Sequence, residues 1–246
     1  MNNSNLVSYK KISPNRTSPR NHAIDTITIH CVVGQCSVET LGNIFAPTSR
    51  QASSNYGIGN DGRVGMYVEE KDRSWCSSNA ANDNRAITIE VASDTKHPYA
   101  VNEKAYAALL DLVTDICKRN GIKRLVWSTD KNDRINHKNG CNMTVHRDYA
   151  NKSCPGDYLY NRHGEIAAEV NRRLGAAAPS TSAAPKITEG SRVRLKRGAP
   201  TYTGGSLASY VYDRVHAVKE ISGKRAVITF GNIVVAAVNV DDLTLA

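Results

Sequence analysis

No apolar run in this 246-residue chain approaches the roughly 18 to 20 residues of a membrane-spanning helix, so a helical membrane span is excluded. None of the six cysteines pairs as Cys-x-x-Cys, which argues against a structural zinc ribbon and a thioredoxin-like redox site. The opening Met1-Asn2-Asn3-Ser4-Asn5 shows no basic segment followed by an apolar stretch, so no secretory signal is expected. Nor does any groove-reading or base-stacking motif accompany the formal net charge of +9, and nucleic acid is not an expected partner. The positive excess is spread along the chain rather than gathered in runs, and such a field favours some other anionic polymer.

What is present is enough for one sizeable domain and a small second one, with 40% hydrophobic residues to build the cores. Strands are predicted near residues 25–33, 54–59, 63–69, 86–92 and 123–127. Ala105, Leu109, Leu112, Val113 and Ile116 fall at helical spacing between Asn102 and Asn120, and Gly121 stops that helix. A second helix over about Asp157 to Leu174 places Leu159, His163, Ile166 and Val170 on one stripe. This order predicts an α/β domain with a mixed central sheet flanked by helices. Residues 175–185, small, uncharged and punctuated by Pro179 and Pro185, read as a linker. The short β-rich segments of residues 186–246 predict a small all-β barrel.

Thr144-Val145-His146-Arg147-Asp148-Tyr149-Ala150-Asn151-Lys152-Ser153-Cys154-Pro155-Gly156 carries the chemistry. An imidazole, a thiol and an ammonium lie close together there, and neutral imidazole and thiolate are both zinc ligands. A catalytic zinc site usually has three protein ligands and one open position, so a third donor is needed. The best candidate is His30. In Thr26-Ile27-Thr28-Ile29-His30 the period of two sets Ile27 and Ile29 on one face and Thr26, Thr28 and His30 on the other. If Cys154 binds metal, the five remaining cysteines cannot all pair, and a disulfide framework is not expected. Cys31 and Cys117 read as core thiols, whereas Cys36, Cys76 and Cys141 stand in loop-like contexts near the surface. His22, His97, His137, His163 and His216 read as locally satisfied polar groups.

These residues resemble the zinc amidases of the N-acetylmuramoyl-L-alanine amidase type, which share a fold with T7-type phage lysozymes and peptidoglycan recognition proteins. The resemblance rests on four motifs in order over about residues 20 to 174: Thr28-Ile29-His30, the hairpin Ser53-Ser54-Asn55-Tyr56 with its Asp61-Gly62 turn, Asn82 to Glu90, and His146 to Gly156. Asn55 stands where many relatives carry His. Val32-Val33-Gly34 follows the first His where Thr or Ser is usual. The resemblance implies zinc held by His30, His146 and Cys154. It implies Lys152, Tyr56 and Glu90 as catalytic helpers, and Asn55, Trp75 and Asn84 as substrate contacts.

Within residues 186–246, Gly190-Ser191-Arg192-Val193, Ala199-Pro200-Thr201-Tyr202-Thr203-Gly204-Gly205 and Val238-Asn239-Val240-Asp241-Asp242-Leu243 resemble the bacterial SH3-type wall-binding modules of phage lysins. That stretch holds nine Lys or Arg against five Asp or Glu, a balance suited to an anionic cell wall. The expected organisation is a catalytic domain over 1–174, a linker over 175–185 and a wall-binding domain over 186–246. The expected protein is a phage endolysin, resident in the host cytoplasm before lysis, with peptidoglycan as partner and substrate. A bacterial autolysin of the same chemistry and a non-catalytic peptidoglycan-recognition module are the alternatives. Retention of Cys154 speaks against the second.

Overall fold

The computed structural model describes residues 2–176 and 187–246. The chain divides into two compact units, residues 1–178 and 179–246. From residue 177 onward the expected linker lies outside the described residues. Among the described residues no helix is long and apolar enough to cross a membrane.

The first unit runs β1 (Val7–Lys10), β2 (Arg16–Thr17), β3 (Thr26–Cys31), α1 (Val38–Phe45), β4 (Tyr56–Ile58), β5 (Val64–Met66), β6 (Arg73–Ser74), α2 (Ala80–Arg85), β7 (Ala86–Val91), α3 (Glu103–Asn120), α4 (Lys131–Ile135), β8 (Met143–Thr144), α5 (Gly156–Tyr160) and α6 (His163–Arg173). Six strands form a mixed sheet in the order β1-β5-β4-β7-β3-β8. Within it β4 and β5 run antiparallel and the other neighbours are parallel. This is the helix-flanked mixed sheet that the order of elements predicts.

Register decides what each face does. Ile29 lies opposite Ile89, and Ile89 opposite Tyr56, while His30 lies opposite Glu90, and Glu90 opposite Gly57. Side chains alternate across a strand, so Ile27, Ile29, Ile87, Ile89 and Tyr56 share one face. That face packs on Leu109, Leu112, Val113 and Ile116 of α3 and on Ile166 and Val170 of α6. Asn102 caps α3 by accepting from the Ala105 amide, and Gly121, at φ +71°, ends it as expected.

The opposite face is buried too, but by polar side chains that satisfy one another. The Thr28 and Thr144 hydroxyls meet at 2.7 Å, and Asn82 bonds to both. Thr88 joins Ser74 and Asn55. Farther along this face α1, capped by Ser37, brings Leu41 and Phe45 against Tyr67. A Cβ at Gly57 would lie 2.7 Å from the Tyr67 ring, so only glycine leaves space for it there.

Two expected elements differ. Residues 123–127 form no strand, because side-chain amides take the backbone partners of a ladder. Asn171 bonds both the Leu125 amide and its carbonyl, and Asn142 bonds the Val126 amide and the Arg124 carbonyl. The helix expected over 157–174 is broken into α5 and α6 where the Arg162 amide bonds three residues back, to Leu159. Cys141 is buried, not surface-placed: it is 1% exposed and its thiol donates to the Met143 carbonyl. Cys31 and Cys117 are core thiols as expected.

Among the described residues the second unit is all β apart from one α-helical turn and a 3-10 turn over Val240–Asp242. It comprises β9 (Arg192–Leu195), α7 (Ser209–Tyr212), β10 (His216–Ser222), β11 (Arg225–Phe230), β12 (Ile233–Asn239) and β13 (Leu243–Leu245). The strands form one antiparallel sheet ordered β12-β11-β10-β9-β13. Val193, Leu195, Val218, Ile228, Val238 and Leu243 make its core, and Arg192 and Arg194 alternate outward.

His163, at the start of α6, is fully buried, donates from Nδ1 to the Leu159 carbonyl at 2.7 Å, and packs on Trp127. Burial holds its pKa down to about 4 from 6.5. Between those values the unfolded chain takes up a proton that the folded chain refuses. The resulting stability, up to about 3 kcal/mol, is complete above the unfolded pKa and is lost as pH falls toward the folded one. Urea midpoints measured across that interval should therefore fall more steeply for the native chain than for His163→Gln. Equal slopes would show that another group governs the acid limb.

Candidate metal centre and its cleft

Three side chains from distant parts of the first unit meet at one end of the sheet's polar face. His30 comes from the last turn of β3's alternation, while His146 and Cys154 come from the segment after β8. Their donor atoms all lie within 4.8 Å of one another. Cys154 Sγ is 3.3 Å from His30 Nδ1, and the two imidazole centroids are 5.1 Å apart.

The segment that carries His146 is held by a buried ion pair. Arg134 of α4 grips both oxygens of Asp148 at 2.9 and 2.6 Å, and Asp148 also accepts from the Val145 amide. The Arg134 guanidinium lies 4.6 Å over the Trp127 ring. Removing one partner of such a pair typically costs about 3 to 5 kcal/mol, because the other charge is left buried. Ser78 Oγ lies 3.0 Å from His146 Nε2 and so orients the ring, leaving Nδ1 as its open nitrogen.

Electrostatics favour neutral imidazoles. Burial, helped by His146 and His163, pushes His30 down to about 3, and burial with Lys152 lowers His146. Both are therefore lone-pair donors at neutral pH. A hydrogen bond with Cys31, then burial and Glu90, raise the Cys154 thiol well above its usual range. Zinc at typical bond lengths would set a tetrahedral sulfur and nitrogen pair about 3.6 Å apart, close to the Cys154–His30 spacing. His30 Nε2 and Glu90 Oε2 are buried without a hydrogen-bond partner. Two neutral imidazoles, one thiol and an unsatisfied buried carboxyl fit a divalent metal.

Beside this cluster opens a cleft of about 420 Å³ lined by Arg50, Arg73, Trp75, Cys76, His146 and Lys152, among others. Lys152 and Trp75, two of the expected site residues, are thus in its lining. The Trp75 indole donates to Thr17 at 3.0 Å, which fixes the ring against the cleft wall. Glu90 lies beside His30, within reach of Cys76, and burial pushes its carboxyl up to about 7 against the pull of Arg50.

Three expected residues lie elsewhere. Tyr56 is on the apolar face, opposite the cleft: its hydroxyl donates to Glu70 at 2.7 Å and accepts from the Ser4 amide at 3.0 Å. Strand parity is the reason, since Tyr56 aligns with Ile89 rather than Glu90. Asn55 is fully buried and spent on the backbone of Thr88, Val68, Glu69 and Asp72. Asn84 sits in α2, bonded to Ala80 and Asn21, and does not line the cleft. Conversely, Arg50, Arg73, Cys76 and Ser78 carried no motif and emerge only from the fold. The five other histidines bond local carbonyls or, for His97, Asp157.

Residues 20–157, more than half of the chain, match the family model described as N-acetylmuramoyl-L-alanine amidase. The chain belongs to that family. No curated protein matches it. Solved structures it resembles include that of PlyL, 16% identical with a TM-score of 0.49, covering 66% of this chain and 95% of that one. The XlyA catalytic domain is 14% identical with a TM-score of 0.49, over 66% and 97% of the two chains. The amidase LysC from Clostridium intestinale is 18% identical with a TM-score of 0.48, over 67% and 95%. The family member described here carries a His/His/Cys cluster suited to a divalent metal and uses the chemistry of peptidoglycan amidases.

Because Tyr56 touches Glu70 and not the cleft, Tyr56→Phe should lower stability by about 1.5 to 3 kcal/mol, the usual worth of a hydrogen bond to a charged group. Turnover should stay at the native rate. A variant of native stability but reduced turnover would return Tyr56 to the site.

Proposed function

We propose that this chain is a zinc-dependent phage endolysin that hydrolyses the amide joining N-acetylmuramic acid to L-alanine in peptidoglycan. The observation that carries the reading is the convergence of His30, His146 and Cys154 beside a cleft that His146 lines together with Arg50, Arg73 and Lys152. Zinc bound by those three residues would supply the Lewis acidity that activates both carbonyl and water. Lys152 would stabilise the oxygen on which negative charge develops, an effect strengthened in a partly dry site. Glu90, unsatisfied and buried beside His30, would hold the proton given up by the attacking water. Trp75 offers a flat apolar wall, and Arg50 and Arg73 suit the carboxylates of a stem peptide.

Digestion of purified walls tests this directly. New L-alanine amino groups should appear without new reducing sugars, and the opposite result would make the chain a glycosidase. Lys152→Ala should keep its zinc and its fold while losing roughly 10²-fold in turnover. Cys154→Ser, purified without added zinc, should lose zinc and lysis together. Full zinc occupancy in Cys154→Ser would overturn the ligand set.

For the second unit we infer an SH3-type wall-binding role. Its support is an exposed apolar patch of Tyr210, Phe230 and Ile233, with Arg214 lying 4.9 and 4.6 Å from the Tyr210 and Phe230 rings and Ile233 the register partner of Phe230. The full chain bearing Phe230→Ser and Ile233→Ser should sediment less with cell walls yet hydrolyse soluble muramyl peptides at the native rate. Undiminished sedimentation would remove the patch from wall binding.

A further inference from the structure

His30 belongs to two donor sets. Besides the cluster with His146 and Cys154, its ring, the Cys76 thiol and the Glu90 carboxyl present donor atoms that all lie within 4.8 Å of one another. The same imidazole offers a different edge to each set. Nδ1 faces Cys154 at 3.3 Å, whereas Nε2 is buried and has no partner. Glu90 Oε2 is buried and unpartnered as well, while its other oxygen meets the Cys76 thiol at 3.9 Å. The fold holds these groups in place. Glu90 is the register partner of His30 across β3 and β7, and Asp83 Oδ2 fixes the Cys76 backbone through its amide at 2.9 Å. Cys76 also lines the cleft, so an ion has a route in.

The geometry points to a second divalent-cation position, formed by His30 Nε2, Cys76 and Glu90, that fills at excess zinc and inhibits the enzyme. One nitrogen, one sulfur and one oxygen donor form a set that zinc and cadmium accept, and magnesium or calcium do not. With the tight ion on Nδ1, binding of the second breaks both the Cys76 S–H and the His30 Nε2–H bonds, both protons pass to bulk water, the imidazolate is shared between the two ions, and thiolate and carboxylate balance the second ion's charge. Arg50, Arg73 and Lys152 repel an incoming cation, so this position is the weaker of the two. It inhibits because it removes Glu90 from the reaction. The inhibitory part rests on the function proposed above, whereas the binding part does not.

Equilibrium dialysis of the full chain against rising zinc, with metal counted by atomic absorption, decides the matter. The native chain should bind two ions per chain in two steps, and Cys76→Ser and Cys76→Ala should each bind one. Cadmium titration should show two successive rises in thiolate-to-metal absorption for the native chain and one for either variant. Hydrolysis by the native chain should fall as the second ion binds. Saturation of the native chain at one ion, or two ions retained in both Cys76 variants, overturns the second position. Cys154→Ser separates the two readings, since it should lose the tight ion and keep the weak one. If it keeps both, the ligand set proposed for the function fails and the second position stands.

Discussion

Everything in the first unit depends on the in-register parallel pairing of β3 with β7. Because Ile29 aligns with Ile89 and His30 with Glu90, one pairing sends the aliphatic residues toward α3 and the donors toward the cleft. A shift of one residue would exchange the two faces of a strand entirely, so the packing of α3 that stabilises the sheet also fixes the chemistry on its other side. The polar face tolerates burial only because its threonines, Asn55 and Asn82 saturate one another. At its end the saturation stops, and His30 Nε2 and Glu90 Oε2 are left without partners. Unpaired buried polar atoms are costly, and here they gather at the end of the sheet beside the candidate metal cluster.

The motif residues that were legible in the sequence are those fixed by short-range patterning or by the chemistry of metal donors. The alternation through His30 gave its face, and helical spacing with Asn102 and Gly121 gave α3 to within a residue. The donor set was legible because His, Cys and Lys within one segment are hard to explain as packing. Tyr56 stands on the other face of the sheet for a reason the same alternation contains. It differs in parity from Glu90 once β4 is laid beside β7, but the register between two strands is a tertiary fact that no single strand states. Asn55 and Asn84 give no such sign either, because an asparagine that contacts substrate and one that staples backbone look alike in sequence.

Other features were illegible for a different reason. Residues 123–127 have the composition of a strand, yet Asn171 and Asn142, distant in sequence, take its backbone partners. Arg50, Arg73 and Cys76 converge on the cleft from separate turns, with no mutual spacing to signal it. Loops acquire function through where a scaffold places them, and the placement here comes from the sheet and from the Arg134–Asp148 pair rather than from the loops themselves.

The family match begins at residue 20, but β1 lies before it, and its pairing with β5 makes β1 the edge strand on that side of the sheet. Ser4 and Asn3 bond to Tyr56 and the Glu70 amide, and the Asn15 side-chain amide donates to the Phe45 and Pro47 carbonyls, so this leading stretch is woven into the unit. A chain started at the family boundary would keep every proposed metal ligand and still bare a row of unpaired amides and carbonyls along β5. Exposed edges of that kind template strand addition between molecules. The first nineteen residues therefore cover β5 and leave as the edge a strand of only four residues ending at Lys10, a role no motif in them announces.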